Sequence, residues 1–129
     1  YRHEFELTKD QARGPLRLQL GEVRCLAQVR LNGKDLGIVW TDPWRVELTG
    51  AARPGRNRLE IGVVNTWVNR LIGDAALPRE KRVTQTNVAL ESGPRTLKPY
   101  QGFASEDPLM RSGLLGPVRL EWGRFETPP

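Results

Sequence analysis

The chain has 129 residues, 27% of them charged and 38% hydrophobic, and a net charge of +5. That length can build one core without staples, and no apolar run nears the roughly 20 residues a membrane-spanning helix needs. One cysteine, Cys25, leaves no intrachain disulfide, and one histidine, His3, leaves no His-based triad or multi-histidine metal site.

The chain opens YRHEFEL, which alternates as a strand does and lacks the layout of a signal peptide. A start inside a strand reads as a domain excised from, or at the tail of, a longer protein. Tyr1 to Leu7 therefore predicts a first strand, with Phe5 and Leu7 on one face. Lys9 to Pro15 reads as a turn, and Leu16, Leu18 and Leu20 then alternate with Arg17 and Gln19. After the break at Gly21-Glu22, Val23, Cys25, Ala27, Val29 and Leu31 give five inward positions in succession. This phase makes Cys25 a buried, inert thiol, and it turns Leu26 outward toward a second contact surface. Asn32-Gly33 suits a primed hairpin turn, because Asn tolerates φ > 0 and Gly adopts it without a Cβ penalty.

Leu36 to Trp40 is the return arm, ended by Asp42-Pro43. Trp44 to Thr49 alternates again. At Arg53-Pro54-Gly55-Arg56-Asn57, Pro presets φ at the second turn position and Gly takes the third. Leu59, Ile61 and Val63 resume the alternation. From Thr66 to Asp74 the pattern changes: Trp67, Leu71 and Asp74 stand at helical spacing, with Gly73 as a stop. One helical turn and an irregular loop both fit there.

Ala75 to Arg111 is polar and turn-rich, with short extended pieces expected at Val83 to Leu90 and Thr96 to Phe103. So long a stretch in a compact domain is functional or braced by something else. Ser112 to Pro117 reads as a turn, and Val118, Leu120 and Trp122 mark a last strand before a frayed tail, Glu126 to Pro129. By phase, Trp44 and Trp122 belong to the core, whereas Trp40 and Trp67 fit a core plug or an exposed platform equally well. Period-two patterning between strong turns predicts an all-β fold, an antiparallel β-sandwich or jelly roll, as a single domain over residues 1–125. Barrel closure is the alternative.

The resemblance enters at three stretches: VRLNGKDLGIVWTDPWRVELT (29–49), RPGRNRLEIGVVNTWVNRLIGD (53–74) and SGLLGPVRLEW (112–122). Together they resemble the sugar-binding-like β-sandwich of family-2 glycoside hydrolases, a fold related to galactose-binding domains. They look most like the C-terminal sandwich of bacterial α-L-rhamnosidase-like proteins, similar to glycoside hydrolase family 106. The LNG-to-PGxN part is common to many glycosidase sandwiches, and NRLIGD and SGLLGP are the more specific segments. Pro78 to Met110 matches only loosely. The resemblance implies a galactose-binding-like accessory domain, with catalysis on a separate barrel of a secreted or periplasmic bacterial parent. That catalytic domain is then one expected partner and a plant or bacterial polysaccharide the other.

The residue inventory agrees with an accessory role. Glycoside hydrolysis needs two carboxyl groups roughly 5 to 10 Å apart on a cleft wall, whereas Glu47, Glu60 and Glu121 sit at alternating strand positions. No catalytic residue is assigned. Sugar recognition instead asks for an aromatic face against pyranose C–H groups, with planar polar groups for the hydroxyls. Trp40, Asn65, Trp67, Asn69, Arg70 and Asp74 supply both kinds and form the candidate ligand set. Their bland alternative is architecture: Asn side chains capping backbone, Leu71 and Ile72 plugging the sandwich, and Arg70 paired with Asp74 at i,i+4.

No cofactor is expected. The wider fold implies a structural calcium ion in many members, which takes roughly six to eight oxygen ligands. Asp42, Asp74, Glu106 and Asp107 are scattered, with no D-x-D-x-D-G loop. Arg17, Arg24, Arg30, Arg45, Arg58 and Arg119 fall singly at outward strand positions, as solvated faces do. Nucleic acid or another anionic polymer is the remote rival, and it would bind with steep salt dependence.

Overall fold

The computed structural model describes residues 1–84 and 103–125. The expected extended pieces at 85–90 and 96–102, and the tail from 126, lie outside the described residues. Two compact units emerge, one of residues 1–65 with those from Ser112 onward, the other of 66–111.

The first unit is an all-β antiparallel sandwich. Its strands are β1 (Arg2–Leu7), β2 (Leu16–Gln19), β3 (Glu22–Arg24), β4 (Leu26–Leu31), β5 (Lys34–Val39), β6 (Arg45–Glu47), β7 (Gly55–Val64), β8 (Gly113–Gly116) and β9 (Arg119–Trp122). They form a four-stranded sheet in the order β1-β7-β4-β5, a three-stranded sheet β6-β2-β9, and the pair β3-β8. Open sheets, each with edge strands, decide against a closed barrel. Alternation places Ala27, Val29, Leu31, Leu59 and Ile61 of the first sheet in one core with Leu16, Leu18, Val46 and Leu48 of the second. Trp44 is partly buried against that core.

Local chemistry fixes both central turns. Asn32 (φ 53°) and Gly33 (φ 82°) are both left-handed, as the β4–β5 hairpin requires. Gly55 has φ 79°, the conformation a third turn position after Pro54 demands. The two turns are joined by a residue whose role the alternation hides. Asn57 is fully buried; its Oδ1 accepts from Asn32 Nδ2 (2.9 Å) and Arg53 N (3.0 Å). Its Nδ2 donates to the carbonyls of Arg53 (2.7 Å) and Gly55 (2.8 Å). One amide thus satisfies four groups that the turns leave over.

Four expectations change. Lys9 to Arg13 is a short helix, α1, rather than a plain turn. Thr8 caps it through Gln11 N (3.3 Å), and Gln11 Oε1 accepts from Thr8 N (2.9 Å), a capping box spelled T-x-x-Q. Ser112 to Pro117 holds the strand β8, because the backbone of Leu114 finds its ladder partner at Val23. Cys25 is exposed, because β3 ends at Arg24 and the chain passes there from one sheet to another. Trp122, paired with Leu16 on the edge strand β9, is 60% exposed instead of buried. An edge strand has no neighbour beyond it to shelter a large inward side chain.

Among its described residues the second unit contains helix α2 (Val68–Ala75) and a 3-10 turn at Arg79–Lys81. Gly73 does not stop α2, which continues to Ala75; Ile72 and Asp74 are its buried residues.

Four of the six scattered arginines have acidic partners. Arg17 meets Glu47 (2.6 Å), Arg24 meets Glu22 (2.8 Å), Arg30 meets Asp35 (3.8 Å) and Arg58 meets Glu60 (3.1 Å). Arg17 also lies 4.2 Å from the centre of the Phe125 ring. Pairing of this kind neutralises charge locally on these strands.

Candidate functional site

Each unit carries part of the candidate set. In the sandwich, Trp40 follows β5 and is 72% exposed, and Asn65 follows β7 and is exposed. In the second unit, Trp67 stands at the start of α2 and is 65% exposed, with Arg70 exposed one turn on. Neither indole plugs the core: both lie in solvent.

The structure brings Asn69, Arg70 and Asp74 together on α2, and there it spends two of them on the frame. Asn69 Nδ2 donates to Met110 O (2.7 Å), while Met110 N donates to Asn69 Oδ1 (2.7 Å). A side-chain amide therefore pairs with backbone as a strand neighbour would. Asp74 Oδ2 accepts from both the amide (2.6 Å) and the hydroxyl (2.6 Å) of Thr84, and Arg70 Nη2 lies 3.0 Å from Asp74 Oδ1. These contacts, the Thr84 hydroxyl first, then its amide, hold the Asp74 carboxyl below the usual aspartate range despite burial, with Arg70 adding to the effect.

A pH prediction follows. The folded carboxyl titrates below its unfolded value of about 4. Its contribution is thus complete above that value and is lost as pH falls through the lowered folded one. Hydrogen exchange at the Thr84 amide should be faster in Asp74→Asn than in the parent at pH 7. The gap should narrow as pH is taken below 4, and a gap constant over that range contradicts the assignment.

Among the described residues no three of His, Cys, Asp and Glu lie close enough to hold a metal ion. Two of the four carboxylates considered for calcium already have partners. Asp74 is engaged by Thr84 and Arg70, and Asp107 Oδ2 accepts from Ala104 N at 2.8 Å.

No family model matches the chain. Two relatives nonetheless match it over most of its length. The rhamnosidase from Novosphingobium sp. PP1Y is 40% identical over 93% of this chain, with a TM-score of 0.74. A curated protein of Formosa agariphila, provisionally named a beta-glucuronidase, is 37% identical over 93% of this chain. The relatives are glycoside hydrolases. The chain spans only 10% of the rhamnosidase and 11% of the Formosa protein. The chain thus matches a small part of much longer enzymes.

Sequence reasoning missed Thr84 and Met110, the partners of Asp74 and Asn69. Both fall in the polar stretch where periodicity carries no signal. Asn57 was also missed, although Asn two residues after Pro-Gly is a hint that a side chain closes the turn.

Proposed function

We propose that the chain is a non-catalytic accessory domain of a glycoside hydrolase of the α-L-rhamnosidase-like kind, and that it binds carbohydrate. The observation that carries this is the pair of exposed indoles, Trp40 and Trp67, in a chain whose relatives are a rhamnosidase and a glucuronidase-named protein. An open indole face suits the C–H side of a pyranose. Asn65 in the sandwich and Arg70 in the second unit supply polar groups. Asn69 and Asp74 act by holding α2 and its neighbouring backbone in place. The parent's substrate and catalytic barrel belong to the same proposal.

Calorimetric titration with rhamnose, galactose and pectic oligosaccharides tests it. Heat that persists in the folded parent and weakens in Trp67→Ala or Trp40→Ala supports a binding module; no heat with any sugar overturns it. A second role, bracing the catalytic domain, is favoured by one specific observation. Val83 (66%), Leu109 (68%) and Met110 (55%) of the second unit are exposed apolar groups of the type that partner surfaces cover.

A further inference from the structure

Among the described residues, the sheet β6-β2-β9 ends on β9 with no strand beyond it. Hydrogen bonds show which backbone groups face that edge. Leu48 N donates to Leu16 O and Leu20 N to Trp44 O, both at 2.8 Å, so the even residues of β2 bond toward β6. The odd residues of that row then bond toward β9, as Pro15 O does in accepting from Gly123 N (3.1 Å). Along β9 this spends Arg119 and Glu121 on β2. It turns the N–H and C=O of Leu120 and Trp122 to the open edge.

The side chains of the second set are apolar. Val118 (40% exposed), half-buried Leu120 and Trp122 (60%) continue the inward phase of Leu16 and Leu18. Arg119 and Glu121 flank Leu120 with opposite charges. Neither is ion-paired among the described residues, and Arg17, which lies across from Glu121, is held by Glu47 (2.6 Å).

We propose that β9 pairs antiparallel with β9 of a second copy of this chain, about a two-fold axis through Leu120. In that register Leu120 faces the partner's Leu120. Arg119 faces the partner's Glu121, Glu121 the partner's Arg119, and Val118 the partner's Trp122. The outward N–H and C=O groups of Leu120 bond across the axis, and those of Trp122 meet Val118 on either side. Charge, backbone and the apolar row thus select one register. Centring on Glu121 would oppose two glutamates, which is unfavourable.

The other strands that end these two sheets lack this self-complementarity. Pairing β1 with itself about Glu4 or Phe5 sets glutamates opposite each other. β5 carries a register shift, and its Gly37 N donates to Asp35 Oδ1 (2.8 Å). β6 has three residues, and its Arg45 N donates to Pro43 O (2.8 Å). Val118 to Trp122 makes a seam about 17 Å long. Standard stable interfaces bury about 1,200 Å² or more, so this short seam gives a dimer that forms as concentration rises. It needs nothing from the carbohydrate reading, since Trp40 follows β5 in the other sheet.

Sedimentation equilibrium of the 129-residue chain from about 10 µM to about 1 mM tests this, with amide hydrogen exchange followed by NMR at low and high concentration. A monomer–dimer equilibrium is expected, with the Leu120 and Trp122 amides gaining protection as the dimer forms. The Arg119 and Glu121 amides, already bonded to β2, should not change. Arg119→Glu and Glu121→Arg should each weaken association about tenfold or more, because each opposes like charges twice. An equimolar mixture of the two variants should recover it, which also shows both to be folded. A dimer that leaves the Leu120 and Trp122 amides unchanged overturns the proposal, as do single variants that associate like the parent or a mixture that does not recover. So does a chain that stays monomeric throughout; protected Leu120 and Trp122 amides would then mean that the edge is covered within one chain.

Discussion

Gly21→Ala is expected to destabilise the sandwich by more than about 4 kcal/mol, the range reserved for a few severe mechanisms. Two of them combine here. Gly21 has φ +69°, where an L side chain costs about 1–2 kcal/mol. A methyl at that position would also overlap the backbone of Gly116 and come within 2.6 Å of Pro117 N. Both neighbours are main chain held by the Gly21–Gly116 bridge, so neither swings away as a flexible side chain would. Gly50→Ala separates the two causes. Gly50 has φ +76° and its Cβ would meet nothing within 4 Å, so it should lose only the backbone term. Denaturant unfolding of both variants decides it, and equal losses would show that the close approach contributes nothing.

Asn57→Ala should cost about 3 kcal/mol. The buried amide serves two donors and two acceptors, and truncation leaves the carbonyls of Arg53 and Gly55 without their partner. Asn57→Asp is the sharper variant. It keeps the acceptor for Asn32 and Arg53 but aims a second oxygen at two carbonyl oxygens. Burial and that repulsion raise the new carboxyl's folded pKa above its unfolded value. The Asp variant should therefore be less stable than the Ala variant at pH 7 and recover as pH falls and the carboxyl regains a donor. Thermal unfolding at pH 7 and at about pH 4, near the free carboxyl value, reads this directly. An Asp variant as stable as the parent at neutral pH would mean that the amide nitrogen contributes nothing.

How much of this was legible in the sequence differs from residue to residue. The Asn32-Gly33 and Pro54-Gly55 turns were readable because backbone conformation at a turn is set by the residues in it. The strands between them were readable because alternation is a property of four or five neighbours. Cys25 misled for the same reason: it keeps the phase of Val23 and Ala27, yet it sits where the chain leaves one sheet for another. Of the candidate binding residues, Trp40, Asn65, Trp67 and Arg70 are exposed, Arg70 in an ion pair with Asp74, while Asn69 is tied to Met110 and Asp74 to Thr84. Nothing near Asn69 in sequence announces Met110.

By itself, then, the sequence determined the all-β class, the turn positions, the inward faces of β2, β4 and β7, and the resemblance to glycosidase sandwiches. Each follows from local sterics, period-two patterning or a matched string of residues. Only the tertiary structure decided which aromatics stay in water, which cysteine phase fails, and which polar groups are already satisfied. Burial requires an opposing layer, and a hydrogen bond requires a partner that is near in space but remote in the chain. Trp122 shows it best: its alternation points inward, but an edge strand gives it too little to pack against.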